Sequence, residues 1–343
     1  MNSTEPEGTP VSHSRTRAPR PRPLLPVAGA LLLSTVTLLS ACSSSADIEA
    51  EQRTGTSPAA GAEALSVDTS PEQADRLSTD EDPDAAALVP ADVAADGKLT
   101  VGVVGTGEPP LGFLADDNST VVGSEVDVAA LVAESLGLEL DVRNISWEQW
   151  PLSVQSGDVE AVFSNVGVNA ERLQLFDFAT YRQGIMAFTA ATGSDLAITG
   201  AEDIAGLTIA VGSGTNQERI LLDWDGQNQA AGLEPATLDY YANAADALLA
   251  ITSGRVDAHL GPNPNAVYQQ SKGQVTVVGT VNAGWPNTTY VAATTLKGNG
   301  LVDAVAAGLQ HVFEDGSYAQ TLERWGLADE AVDAPEVNPQ VAS

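Results

Sequence analysis

Ser164-Asn-Val-Gly-Val-Asn-Ala-Glu-Arg-Leu-Gln-Leu-Phe-Asp-Phe178 follows the apolar run Ala161-Val-Phe163 and holds a single arginine, Arg172. The whole chain of 343 residues has only 15 Lys and Arg against 46 Asp and Glu. A guanidinium in such a chain needs a reason. It presents a fixed fork of donors that fits a carboxylate bidentately. Lining a cleft, Arg172 would hold the anionic group of a small solute. On the surface it would pair with Glu171 or Asp177. The stretch alone leaves both readings open, and the flanking sequence decides.

Upstream, Leu99-Thr-Val-Gly-Val-Val104 reads as a strand that runs into turn-formers from Gly105 to Pro110. Ser124 opens a helix whose apolar positions Val126, Ala129, Ala130, Ala133 and Leu136 recur at helical spacing, and Gly137 closes it. Leu138 to Val142 alternates as a strand, a short helix starts near Ser146, and Val159 to Phe163 is the next strand. Alternating strands and helices with short connections predict an α/β fold with a parallel sheet and right-handed crossovers. Ligands of such sheets lie beyond the carboxyl ends of the strands, where 105–108 and 164–169 both fall.

Downstream the pattern returns. Gly206 to Val211 is a strand, and Gly212-Ser-Gly-Thr-Asn-Gln-Glu218 leads into an apolar helical stretch from Ile220 to Trp224. Amide groups at a helix start lack partners, so such a loop can hold an anion. The Lys-Ser/Thr ending of a nucleotide-phosphate loop is missing. Strands are expected at 238–241, 255–260 and 275–281, helices at 243–251 and 301–313, and a last helix up to Trp325. Gly261-Pro-Asn-Pro-Asn265 reads as a loop.

The ends differ from the middle. Arg15, Arg17, Arg20 and Arg22 precede an apolar run from Leu24 to Leu39, and Leu39-Ser-Ala-Cys42 follows. Basic, apolar and small-residue segments in that order read as a secretory signal. Leu-Ser-Ala-Cys resembles the bacterial lipoprotein box, which implies removal of 1–41 and a lipid on Cys42. That cysteine is the only one, so no intrachain disulfide can form. Residues 42–94 are acidic and lack Trp, Tyr and Phe, so a disordered tether is expected there. A flexible tail is expected over 329–343. A net charge of -31 argues against nucleic acid and against anionic lipid surfaces as partners. His13, His259 and His311 are scattered, with no spaced metal set, and no cofactor is expected.

Seven pieces follow one another in order: Glu108-Pro-Pro-Leu-Gly-Phe113, Gly123-Ser-Glu-Val-Asp-Val-Ala129, Ser146-Trp-Glu148, Ser156-Gly-Asp-Val-Glu-Ala161, Ala170-Glu-Arg-Leu173 with Asp177-Phe-Ala-Thr-Tyr181, Gly254-Arg-Val-Asp-Ala258, and Asp315-Gly-Ser-Tyr318 with Arg324-Trp-Gly326. They resemble the bacterial extracellular solute-binding proteins of family 3, receptors of polar amino acid ABC importers, over residues 95–328. The resemblance implies the type II periplasmic-binding-protein fold, two α/β lobes joined by two hinge strands. Lobe 1 would comprise 95–190 and 285–328, and lobe 2 would comprise 191–284. The chain would cross near Ala187–Ala191 and return near Thr280–Gly284. The implied protein is a monomer on the extracytoplasmic face of the cell membrane, held there by its lipid. It would close on a small polar, carboxylate-bearing solute and deliver it to permease and ATPase subunits.

The resemblance also implies a site. Arg172 matches the carboxylate-binding arginine; Ser164, Asn165 and Gly167 would line the solute. Thr215, Asn216 and Gln217 match the anion loop of lobe 2. Glu108 and Trp147 match side-chain-pocket positions. Two positions depart from the pattern. Gly167 replaces a usual serine, and Pro262 stands where an acid for the α-amino group is expected. Asn263 as a neutral acceptor, or Glu108 from the other lobe, would have to serve instead. A lipid-anchored sensing module and an enzyme on the same fold, such as a dehydratase, are the alternatives. No Ser-His-Asp or Cys-His set supports the enzyme, and His259 reads as a structural histidine.

Overall fold

The computed structural model describes residues 66–341. Cys42, the signal segment and the first part of the expected tether lie outside the described residues. The first lobe opens with a short helix α1 (Pro83–Ala86), strand β1 (Lys98–Val103) and a two-strand ribbon, β2 (Phe113–Leu114) with β3 (Val121–Val122). It continues through α2 (Ser124–Ser135), β4 (Glu139–Asn144), α3 (Trp150–Ser156), β5 (Ala161–Val162) and β6 (Phe176–Gln183). The second lobe holds β7 (Ile185–Ala191), β8 (Thr208–Val211), α4 (Asn216–Ala231), β9 (Thr237–Tyr240), α5 (Ala244–Thr252), β10 (Ala258–Pro262), α6 (Asn263–Ser271) and β11 (Val275–Asn282). The chain then returns to the first lobe as β12 (Tyr290–Leu296), α7 (Leu301–Glu314) and α8 (Ser317–Arg324).

Each lobe is one five-stranded sheet, ordered β4-β1-β5-β12-β6 in the first and β11-β7-β10-β8-β9 in the second. Strands β1, β4 and β5 are parallel, as are β8, β9 and β10. Beside the expected parallel strands each sheet also has antiparallel pairs: β12 runs antiparallel to β5 and β6, and β7 antiparallel to β10 and β11. β7 and β12 are the strands by which the chain enters a lobe from the other one, and they run against the βαβ units. Leu99, Val101, Leu131, Phe163 and Trp325 fill one face of the first sheet; Trp150, Val162, Phe176 and Phe178 fill the other. In the second lobe Phe188, Ile209 and Leu260 of the sheet pack with Ile220, Leu221 and Trp224 of α4, while Ala210 packs with Ala247 and Ile251 of α5. Each large side chain so buried contributes about 1.5–3 kcal/mol.

The crossing differs from the expected one. The chain changes sheet at Gly184, whose N–H donates to Thr289 O and whose carbonyl accepts from Ala283 N–H, both at 2.9 Å. A β-carbon at Gly184 would stand 3.0 Å from Ala283 Cβ and 3.1 Å from Thr289 O, so a side chain there would press on both passing segments. Residues 185–191, expected in lobe 1 and at the crossing, belong to β7 of lobe 2. The return runs from Ala283 to Thr289.

Residues 66–94, expected to be disordered, lie as a strap on the first lobe. Thr69 O accepts from Asp116 N–H at 2.9 Å, Arg76 pairs with Asp127 at 2.7 Å, and Glu134 accepts from Thr79 N–H at 2.9 Å. Gln73 and Ala85 are buried. Composition speaks only to apolar burial, whereas the strap is held largely by polar partners on α2. The C-terminal residues are placed as well. Thr180 N–H donates to Glu336 O at 3.0 Å and Asn338 N–H to Phe178 O at 2.9 Å, with Ala179 bridged to Val337. This segment therefore extends the sheet beyond β6.

Candidate functional site

The carboxyl ends of β1, β5, β8 and β10 face one another across a cavity of about 190 Å³. That is compact beside the ~300–1,000 Å³ of pockets for drug-sized ligands. The cavity receives Glu108, Trp147, Ser164, Asn165, Gly167 and Arg172 from lobe 1. Thr215, Asn216, Gln217, His259, Pro262 and Asn265 come from lobe 2. Nine of the ten residues expected at the site thus lie on its wall, and Asn263 does not.

Arg172 opens a short 3-10 turn, and its N–H donates to Asn169 Oδ1 at 2.8 Å. Its Nη1 donates to Gly167 O at 2.7 Å, and its Nη2 crosses the cleft to Gly214 O at 3.1 Å. The guanidinium lies 5.4 Å from the ring of Trp147 and 5.6 Å from that of Trp150. Stacking of this kind favours the cation. Among the described residues it has only carbonyls and rings, not a carboxylate, as direct partners. Burial, reinforced by Arg219, pushes its pKa down to about 10, so it stays charged at neutral pH. Trp147 lines the cavity and also packs against Trp150, ring centres 6.2 Å apart.

The lobes are shut on one another. Asn169 donates to Asn216 Oδ1 at 2.9 Å. Asn265 donates to Glu108 O at 2.5 Å and Pro109 O at 3.1 Å, and Gln269 donates to the Glu108 carboxylate. A β-carbon on Gly167 would stand 2.6 Å from Asn216 Nδ2. The glycine found where a serine was expected therefore makes room for the other lobe. Thr215 caps α4, its Oγ1 accepting from Glu218 N–H at 3.1 Å. Gly214 N–H is taken by Glu218 at 2.7 Å, so part of the expected anion loop is already occupied.

Of the remaining expected residues, Ser164 is partly committed, since its Oγ accepts from Val104 N–H at 2.7 Å. Asn165 has the left-handed φ of 54°, and its Oδ1 accepts from Arg182 at 2.5 Å. Burial pushes the Glu108 carboxyl up, and its bond from Gln269 only partly offsets this. Asn263 instead donates to Glu330 at 2.9 Å. His259, expected to be structural, is half-buried on the cavity wall. Its ring lies over Gly261, where a β-carbon would meet Cε1 at 2.5 Å. Burial pushes its pKa down to about 4, so the imidazole is neutral at pH 7.

The sequence reading missed a buried ionic cluster next to the cavity. Arg182 pairs with Glu330 through Nη1 and with Glu125 through Nη2 at 3.1 Å, and Tyr181 OH donates to Glu125. Glu125 lines the cavity. Burial opposes the charge on Arg182, but Glu330 and Glu125 outweigh it and leave its pKa raised. An arginine inside the apolar strand Phe176–Gln183 was a visible signal that partners must exist. Those partners lie 57 and 148 residues away, beyond any local pattern. Among the described residues no group of His, Cys, Asp or Glu could hold a metal ion, and no helix is long and apolar enough to cross a membrane.

The family model of bacterial extracellular solute-binding proteins, family 3, matches residues 99–328. The arginine-binding protein ArgT of Corynebacterium glutamicum is 29% identical over 273 residues, covering 79% of this chain and 88% of that protein. The L-cystine-binding protein TcyJ of Escherichia coli K12 is 32% identical over 236 residues, covering 68% and 84%. Among solved structures, an ancestral arginine-binding protein bound to arginine has a TM-score of 0.58 at 27% identity, covering 67% of this chain and 98% of that one. An ancestral amino acid-binding protein described as a precursor of cyclohexadienyl dehydratase has a TM-score of 0.60 at 24% identity, covering 70% and 99%, a likeness of fold alone. Two lobes shut over a cleft, an arginine in that cleft and a family match over most of the folded chain agree: the chain belongs to the bacterial extracellular solute-binding proteins of family 3.

Proposed function

We propose that this chain is the solute receptor of an ABC importer and that it closes on an amino acid whose carboxylate lies on Arg172. The observation that carries the reading is the guanidinium held in the cleft with carbonyls and rings but no carboxylate. A buried charge is costly unless it is paired. A solute carboxylate supplies the pair, and the fork of donors fits it bidentately. Glu108 is the reverse case, a half-buried carboxylate with an amide as its partner. One unpaired positive group and one unpaired negative group in a single cavity suit a zwitterion. The names of the relatives, which bind arginine and cystine, agree with this. Pro262 favours a second reading, a carboxylic acid without an amino group, because it offers lobe 2 no charge for an ammonium.

Calorimetry decides between them. Amino acids, L-arginine and L-cystine included, are titrated beside their deaminated acids, and small-angle scattering follows the lobes. The amino acid should bind far more tightly than its deaminated acid, and the radius of gyration of the closed complex should not exceed that of the free protein. Equal binding of the deaminated acid would overturn the zwitterion. A complex more extended than the free protein would overturn closure.

The finer placement also belongs to this proposal: monomeric, on the extracytoplasmic face, held by lipid on Cys42 and delivering to permease and ATPase subunits. A tagged fatty acid should label the full chain, and Cys42→Ser should release it from membranes. Unchanged membrane retention in that variant would remove the anchor.

A further inference from the structure

Residues 329–341 lie beyond the matched stretch 99–328, yet they reach the cleft. Glu330 ends a short 3-10 turn, Ala328–Glu330, and is 2% exposed. One carboxylate oxygen pairs with Arg182 of β6 in lobe 1. The other accepts from Asn263 Nδ2 at 2.9 Å, at the start of α6 in lobe 2. A single side chain from the C-terminal segment therefore touches both lobes. Arg182 passes the contact on. Its Nη2 donates to Glu125 at 3.1 Å and to Asn165 at 2.5 Å, and both of those residues line the cavity.

We propose that Glu330 is a positioning residue of the solute site, a tie that holds lobe 2 onto lobe 1 when the cleft is shut and sets Arg182 against Glu125 and Asn165. The inference rests on the amino-acid reading of the same cleft. Glu330 is fixed to lobe 1 by Arg182, and the segment after it is fixed by its pairing along β6. Rotation of lobe 2 about Gly184 and 283–289 carries Asn263 away from it. The Asn263–Glu330 bond thus belongs to the shut form alone, and its free energy adds to closure. A bond present only in the competent form raises the population of that form and the apparent affinity with it. Hydrogen bonds to ionised acceptors are the stronger ones, so this contact can matter even though it never touches the solute.

The test begins with Asn263→Ala, which leaves the buried Arg182–Glu330 pair intact and spares the fold. With L-arginine and L-cystine as probes, binding should weaken about tenfold, about 1.4 kcal/mol. The change should sit mainly in faster dissociation, with the melting temperature of the free protein unchanged. Glu330→Met, which removes the acceptor, is the second variant, and Asn263→Ala should have no further effect on top of it. Wild-type affinity and dissociation rate in Asn263→Ala would overturn the tie. Additive losses in the double variant would place Asn263 on the solute itself and overturn it too. If wild type takes neither probe, the amino-acid reading fails and solute-free scattering judges the tie. Asn263→Ala must then show the larger radius of gyration, and an unchanged radius overturns the proposal.

Discussion

Arg172→Ala should weaken amino acid binding by about 2–5 kcal/mol, the range for truncating one partner of a buried charge pair. In dissociation constants that is tens to thousands of times. The loss has two parts. The solute carboxylate loses its bidentate donors, and it is left desolvated in a shut cavity. Trp147 and Trp150 also lose the cation they face. Arg172→Lys should recover only part of the affinity, because a point charge cannot reproduce the fork. Stability of the free protein should change much less, since two of the bonds lost are to Gly167 and Gly214 carbonyls beside the cleft, which water can reach in the open form. Calorimetry on both variants against L-arginine and L-cystine measures the effect. Strong binding of an amino acid by Arg172→Ala would remove the assignment of the carboxylate.

Arg182→Met should act on the fold instead. It leaves Glu125 and Glu330, both buried, without their cation. Breaking a buried pair from one side costs about 3–5 kcal/mol, a large share of the stability of an ordinary domain. Urea unfolding of the solute-free protein at pH 7 gives the number. The same variant carrying Glu125→Gln and Glu330→Gln should regain much of the loss, because neutral side chains need no counter-charge. The pH dependence has a definite sign. Burial already raises the Glu330 carboxyl, with Arg182 opposing the rise. Without Arg182 it rises further, so the folded variant binds protons more readily than the unfolded chain. Its stability must then increase as pH falls toward the ordinary carboxylate range, and the deficit against wild type must narrow. A deficit independent of pH would mean that lost packing, not charge, is responsible.

The two arginines show what could be read in advance. Arg172 was legible because it sits just after a strand in a region where α/β sheets bind ligands. The lining residues near it in sequence were legible for the same reason. The lobes were legible from strand–helix alternation, and α2 from its apolar spacing. Other features depended on partners far away. The crossing at Gly184 is set by backbone groups of Thr289 and Ala283, which no local pattern announces. The start of helix α6 is hidden in the sequence because Gly261-Pro-Asn-Pro-Asn265 consists of turn-formers and reads as a loop. Proline is nevertheless at home in a first helical turn, where an amide hydrogen has no partner anyway. Helix α4 begins earlier and ends later than its apolar centre, since Thr215 caps it and its last turns carry polar residues. The strap lacks aromatic rings, and nothing within it announces that Asp127 and Glu134 of α2 will receive it.

The C-terminal segment beside β6 has a further consequence, for how the chain is made. A sheet edge with free amide and carbonyl groups invites strands from other molecules. The β4 edge carries Glu139, Asp141 and Arg143, and charged side chains on such an edge discourage pairing with other molecules. The β6 edge is buried along nearly its whole length, and its two charged residues, Asp177 and Arg182, are paired within the protein, so charge offers it less defence. Its cover is the strand around Val337, and Phe178 and Asn338 stand 160 residues apart. During synthesis β6 is therefore complete long before anything shields it. Contacts of such long sequence separation form late. The danger of self-association lies in the unfinished or clipped chain, and the arrival of residues 336–338 on β6 ends it.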